Sequence, residues 1–244
     1  MLHTAFDVCW FHPTEDFDRL PVIRERYNSS LFTLNSSLYK GTTLIAHDVL
    51  LRYLQELIRF DARNAPFRII GAEKERMIEF KIQNSRLKVG GRIDRIDETD
   101  KHLRIIDYKT GSYKLEDKVK MENVVGLAGK HVPYYLQTFL YALAEMEHIG
   151  TPLKGERGGG IPIKPILFFP IKAASPDYDP SLKIDGEVVD DFAKQHADAF
   201  REGLQNILED IFNPDKPFTC TTDTKTCEYC KLGLICGKGN QHRL

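Results

Sequence analysis

Two aspartates and a lysine carry the strongest chemical signal in this chain. Asp94 lies in the run Gly91-Arg92-Ile93-Asp94-Arg95-Ile96-Asp97, and thirteen residues later Asp107 opens Asp107-Tyr108-Lys109 within Ile105–Gly111. Between the two words lies a polar stretch, Glu98-Thr99-Asp100-Lys101. Runs rich in β-branched residues on either side of a polar turn predict an antiparallel hairpin. The midpoint between Asp94 and Asp107 falls in that turn, so the carboxylates are expected nearly opposite each other. Side chains alternate faces along a strand, so Asp107 and Lys109 point the same way. Two clustered carboxylates repel unless a cation sits between them, and hard divalent cations prefer such oxygen ligands. A lysine beside them can orient or deprotonate a water, or offset charge developing on a phosphate. The competing reading is a surface hairpin with solvated charges. It is opposed by apolar Ile105 and Ile106, which run straight into Asp107.

The surrounding elements follow from periodicity. Gly41 to about Arg63 reads as a helix, with Leu50, Leu51, Leu54, Leu57 and Ile58 on one buried face and His47 near its start. Phe67–Ala72 and Arg76–Ile82 read as two short β-prone runs, with Glu73 between them. Leu87, Val89, Gly91 and Ile93 form one face of the next strand, and Lys88, Arg92 and Asp94 the other. Gly90-Gly91 allows a backbone or ligand to come close. Ser112 to Lys130, with Lys114, Lys118, Lys120 and Lys130, reads as a long polar flap able to contact phosphates, or as a solvated loop. His131 to Glu147 reads as a helix on which Gln137 and Tyr141 share a face. Ile149 to Pro162 is a glycine-rich loop, and Pro165–Phe169 is a strand of central character. A long amphipathic helix is predicted from Val188 to Ile211, ending near Asn213-Pro214.

The hairpin words resemble the PD-(D/E)XK nuclease superfamily, and "GRIDRID" with "IIDYKTG" is similar to its RecB-like and AddB-type nuclease domains. Gln137-x-x-x-Tyr141, after the Asp-x-Lys strand, resembles a further motif of those domains that contacts DNA or braces the site. The resemblance covers about residues 40 to 240. It implies an α/β fold of the restriction-endonuclease-like kind, a mixed sheet flanked by helices. Three segments are expected: an irregular segment over 1–40, the nuclease core over 41–213 and a cysteine-rich tail over 214–244. The resemblance also implies that Glu73 reaches the metal or a group next to it; a turn glutamate in solvent is the alternative. A family histidine would help bind metal, but His47 reads better as a polar residue on a helix flank.

Composition bounds the rest. The 244 residues are 42% hydrophobic and 28% charged, ordinary for a globular protein. No run approaches the roughly 20 apolar residues of a membrane helix, and no basic-then-apolar secretory signal opens the chain. A cytoplasmic location and no membrane contact are expected. The net charge of -1 puts any nucleic-acid contact on local basic patches. Four of the five cysteines lie at or beyond Cys220, which argues for a reduced compartment and a metal site. Cys220, Cys227, Cys230 and Cys236 suit tetrahedral zinc or an iron–sulfur cluster. The resemblance implies a [4Fe–4S] cluster held by Cys227, Cys230 and Cys236 and a fourth ligand. That ligand is Cys220, or the remote Cys9, itself more simply read as a small buried hydrophobe.

Together these features point to a Mg²⁺- or Mn²⁺-dependent deoxyribonuclease, an exonuclease of DNA repair or recombination. Asp94, Asp107 and the backbone carbonyl of Tyr108 are expected to bind the metal, and Lys109 to position the attacking water. The resemblance implies 5′-phosphate and 3′-hydroxyl products and a helicase domain or subunit as partner, the chain being part of a larger repair protein. The alternative is a non-catalytic DNA-binding scaffold on the same fold.

Overall fold

The computed structural model describes residues 41–111, 119–127, 129, 132–150, 160–217 and 227. The chain divides into two units, residues 1–207 and 208–244. The first holds a four-stranded sheet in the order β1-β2-β3-β4, with β1 Arg68–Ile82, β2 Ser85–Glu98, β3 Leu103–Tyr108 and β4 Ile163–Phe168. The first three strands are antiparallel neighbours, and β4 runs parallel to β3. This is the mixed sheet flanked by helices expected of a restriction-endonuclease-like fold. A two-stranded ribbon, β5 Lys183–Ile184 and β6 Glu187–Val188, stands apart from it.

Alternation along β3 assigns the faces. Ile106 and Tyr108 pack with Leu57 and Phe60 of α1 (Thr42–Arg63), together with Ile166, Phe168 and Ala173. Ile105, Asp107 and Lys109 point to the other side, where α3 (Val132–His148) crosses all four strands. Pro133 in the first turn of α3 lacks an N–H that would be unpaired there anyway. Tyr135, Phe139, Ala142, Leu143 and Met146 then recur at helical spacing and are buried. Phe139 meets Phe192 at 5.1 Å and Phe200 at 5.7 Å between ring centroids. These come from α4 (Phe192–Gln195) and α5 (Ala197–Ile211).

Several expectations are corrected. The two runs proposed around Glu73 are one strand, β1, paired with β2 along its length. The polar break is absorbed by a register shift between Ile69 and Gly71 and by a positive φ of 54° at Glu73. Leu50, assigned to the buried stripe of α1, is 56% exposed; among the described side chains of that helix, burial falls on Leu57, Ile58 and Asp61 in its second half. The stretch that reads as a polar flap contains the short helix α2 (Met121–Val125), and its Val119 and Val124 are buried. Val188 and Val189 do not begin a long helix. Val188 ends the ribbon, and the helical segment is broken at His196 into α4 and α5. Lys114, Lys118, Lys130, Cys9, Cys220, Cys230, Cys236 and the side chain of His47 lie outside the described residues. Cys227 is a half-buried free thiol.

A charged cluster is buried beneath β2. The Arg95 guanidinium donates to both Asp61 oxygens, at 2.7 and 3.2 Å, and through Nε to Asp97 Oδ2 at 2.8 Å. Arg104 Nε pairs with the other Asp97 oxygen. Both guanidiniums stack near the Phe67 ring, 4.7 and 5.0 Å from its centroid. Two acids and two arginines cancel in charge. Buried charges persist only when paired in this way.

Candidate active site

The hairpin brings the three chemical residues together at one end of the β2–β3 ladder. Its last paired residues are Arg95 and Ile106, so the next position places Asp94 against Asp107. There the ladder gives way to a side chain: Tyr108 N–H donates to Asp94 Oδ2 at 2.7 Å. The Lys109 amide donates to Phe168 O at 2.8 Å, which fixes its backbone to β4. Lys109 Nζ lies 2.5 Å from Asp107 Oδ2. It also donates to Gln137 Oε1 at 2.9 Å, and Gln137 Nε2 donates to Tyr141 Oη at 2.8 Å. The ammonium is thus gripped from the strand and from α3 together.

Electrostatics set this pair apart. Asp107 is almost fully buried, and burial pushes its pKa up to about 6; Lys109 opposes the rise and Asp94 adds to it. Asp94 is also raised, first by burial and then by Glu73, against the Tyr108 amide and Lys109. The buried Asp107 Oδ2 faces the lysine charge but receives no well-directed hydrogen bond. One ammonium cannot neutralise two crowded carboxylates. An all-oxygen donor set short of positive charge fits a hard divalent cation.

Glu73 occupies the β1 position facing Asp94, bracketed by the pairs Ala72–Arg95 and Lys74–Ile93. Its carboxylate lies 3.9 Å from Arg92. Among the described residues no three His, Cys, Asp or Glu side chains gather as a metal-holding group, so Glu73 does not join the two aspartates in this arrangement. Tyr134 was not foreseen: its ring centroid is 5.6 Å from Lys109 Nζ. It precedes Gln137 by one helical turn, and that spacing was the signal available in the sequence.

A family model described as PD-(D/E)XK nuclease superfamily matches residues 12–237. The chain belongs to the PD-(D/E)XK nuclease superfamily. No curated protein matches it. Membership implies nuclease activity in general and the divalent metal such enzymes generally use. In this nuclease no helix among the described residues is long and apolar enough to cross a membrane.

The glycine pair of the motif has a steric role here. A Cβ on Gly90 would come 2.0 Å from Arg76 O, and one on Gly91 would come 2.9 Å from Tyr141 Cε1. Gly90 therefore lets β1 approach, and Gly91 leaves room for the tyrosine that holds Gln137. Gly91→Ala is expected to cost about 1–2 kcal/mol by overpacking. It should also lower nuclease activity more than a stability loss of that size explains, because the Tyr141 ring must shift. Urea unfolding beside initial digestion rates checks this, and unchanged rates would refute it.

Proposed function

We propose that this chain is a metal-dependent deoxyribonuclease whose site is built from Asp94, Asp107 and Lys109. The observation that carries the reading is buried Asp107 paired with half-buried Lys109 beside Asp94, with the ammonium also gripped by Gln137. Asp94 and Asp107, with the Tyr108 carbonyl, would hold Mg²⁺ or Mn²⁺. The bound ion supplies Lewis-acid stabilisation of phosphate charge and a more acidic water. Lys109 orients that water and offsets charge on the phosphate. Gln137 and Tyr141 keep the ammonium in place between strand and helix, and Glu73 lies within electrostatic reach of Asp94.

The finer reading rests on the motif words and their order. Their likeness to RecB-like and AddB-type domains supports exonuclease action in DNA repair, beside a helicase domain or subunit. The cysteine spacing supports a structural [4Fe–4S] cluster or zinc in the tail, which iron, sulfide and zinc analysis of anaerobically purified protein tests.

Digestion of plasmid and single-stranded DNA with Mn²⁺, wild type beside Asp107→Ala, tests the central claim. Loss of several kcal/mol of charge stabilisation corresponds to a rate loss on the order of 10³. Equal digestion by both proteins would refute it. DNA binding without cleavage by the wild type would support the scaffold alternative instead.

A further inference from the structure

Arg95 and Asp97 belong to the same seven-residue word as Asp94, yet the proposed chemistry uses neither. Arg95 points to the α1 face of the sheet, away from the site. Besides Asp61 and Asp97, its Nη1 reaches the Tyr108 hydroxyl at 3.2 Å. Tyr108 stands between Asp107 and Lys109, and its backbone N–H is the donor that holds Asp94 Oδ2. Its ring packs edge-on to Phe168 at 5.7 Å. One residue therefore has its side chain anchored on the rear face and its amide engaged with the site.

We propose that Arg95, held by Asp61 and Asp97, acts as a positioning residue through the Tyr108 hydroxyl, fixing the backbone turn at which the Tyr108 amide grips Asp94. The guanidinium is itself clamped: it is bidentate to Asp61 on α1, bonded to Asp97 on its own strand, and stacked near Phe67. The β2–β3 pairing ends at Arg95–Ile106, so no further pair of that ladder holds Tyr108 in register. Pairing with β4 at Tyr108–Phe168, the Lys109 amide bond to Phe168 O and the hydroxyl contact share that task. Groups behind metal ligands set ligand orientation in this way, and their removal typically weakens metal binding by about 10–100-fold.

The test is Tyr108→Phe, which keeps the ring and deletes the hydroxyl. Val124→Ala serves as the comparison: it trims a fully buried core residue of α2, lowering global stability without touching the cluster. The first readout needs no metal. Hydrogen exchange of the residue-108 amide should be roughly tenfold faster in Tyr108→Phe than its global stability accounts for. In Val124→Ala it should follow global stability alone. The second readout is Mn²⁺ affinity by electron paramagnetic resonance, expected to fall about tenfold in Tyr108→Phe and to hold in Val124→Ala. Exchange in both variants that merely tracks global stability would overturn the proposal. So would Mn²⁺ affinity that falls equally in the two. The second arm rests on the metal reading above. A wild type that binds no Mn²⁺ defeats that reading, while the exchange comparison still decides this one. Should Tyr108→Phe fail to fold, Arg95→Lys enters the same comparison with the same expected results.

Discussion

Asp107→Asn is expected to abolish hydrolysis and, in metal-free buffer at pH 8, to raise the melting temperature. The two effects share one cause. Asp107 is buried beside another carboxylate, and burial pushes its pKa from the ordinary aspartate range up to about 6. A carboxyl whose folded pKa is raised favours folding in its protonated form. That contribution is complete below about pH 4 and is lost as pH rises to about 6. At pH 8 the folded protein carries the cost of an ionised Asp107, which neutral asparagine removes. Two units correspond to about 3 kcal/mol at most. A gain of about 1–3 kcal/mol should shift the melting temperature by about 5 °C for a chain of this size. At pH 4 the difference should vanish. Melts in EDTA at both pH values check the sign. A variant less stable than wild type at pH 8 would remove the evidence that the site stores electrostatic strain. Activity should fall on the order of 10³-fold, since asparagine cannot supply the anionic ligand. Function and stability thus pull in opposite directions at this position.

The largest loss of stability should come from behind the sheet. Asp61→Ala leaves the Arg95 guanidinium with an excess positive charge in a site where its side chain is 3% exposed. Asp97 remains, but it is shared with Arg104, so it cannot cancel both arginines. Removing one partner of a buried ion pair costs about 3–5 kcal/mol, far more than the pair adds over an apolar core. The expected fall in melting temperature is on the order of 10 °C. The exposed pair Arg86–Glu79, at 3.2 Å, offers the contrast: Glu79→Ala should change stability by less than about 1 kcal/mol. Urea unfolding of both variants decides it, and comparable losses would mean that burial does not govern this cluster.

Local pattern makes part of this molecule legible in the sequence. The β2–β3 hairpin and its register followed from the position of a polar turn between two apolar runs. The Gln137–Tyr141 contact followed from one helical turn. The separation of Leu87, Val89 and Ile93 from Lys88 and Arg92 followed from strand alternation. These are interactions within one element or between neighbours in sequence, where backbone period alone decides who meets whom.

Errors arose where packing overrode local chemistry. Polar Glu73 reads as a break, yet pairing with β2 carries the strand through it. The lysine-bearing stretch reads as solvated, yet Val119 and Val124 draw part of it into the core.

Residue types and spacing therefore determined the hairpin, the pairing of the two acids and the family likeness. Tertiary structure alone decided what surrounds them. The Lys109–Gln137 bond joins residues 28 apart, and the Asp61–Arg95 clamp joins residues 34 apart, each from elements that meet only when α3 and α1 close on opposite faces of the sheet. No backbone period encodes such meetings, because they depend on where whole elements come to rest, and that is set by summed apolar burial rather than by any local signal.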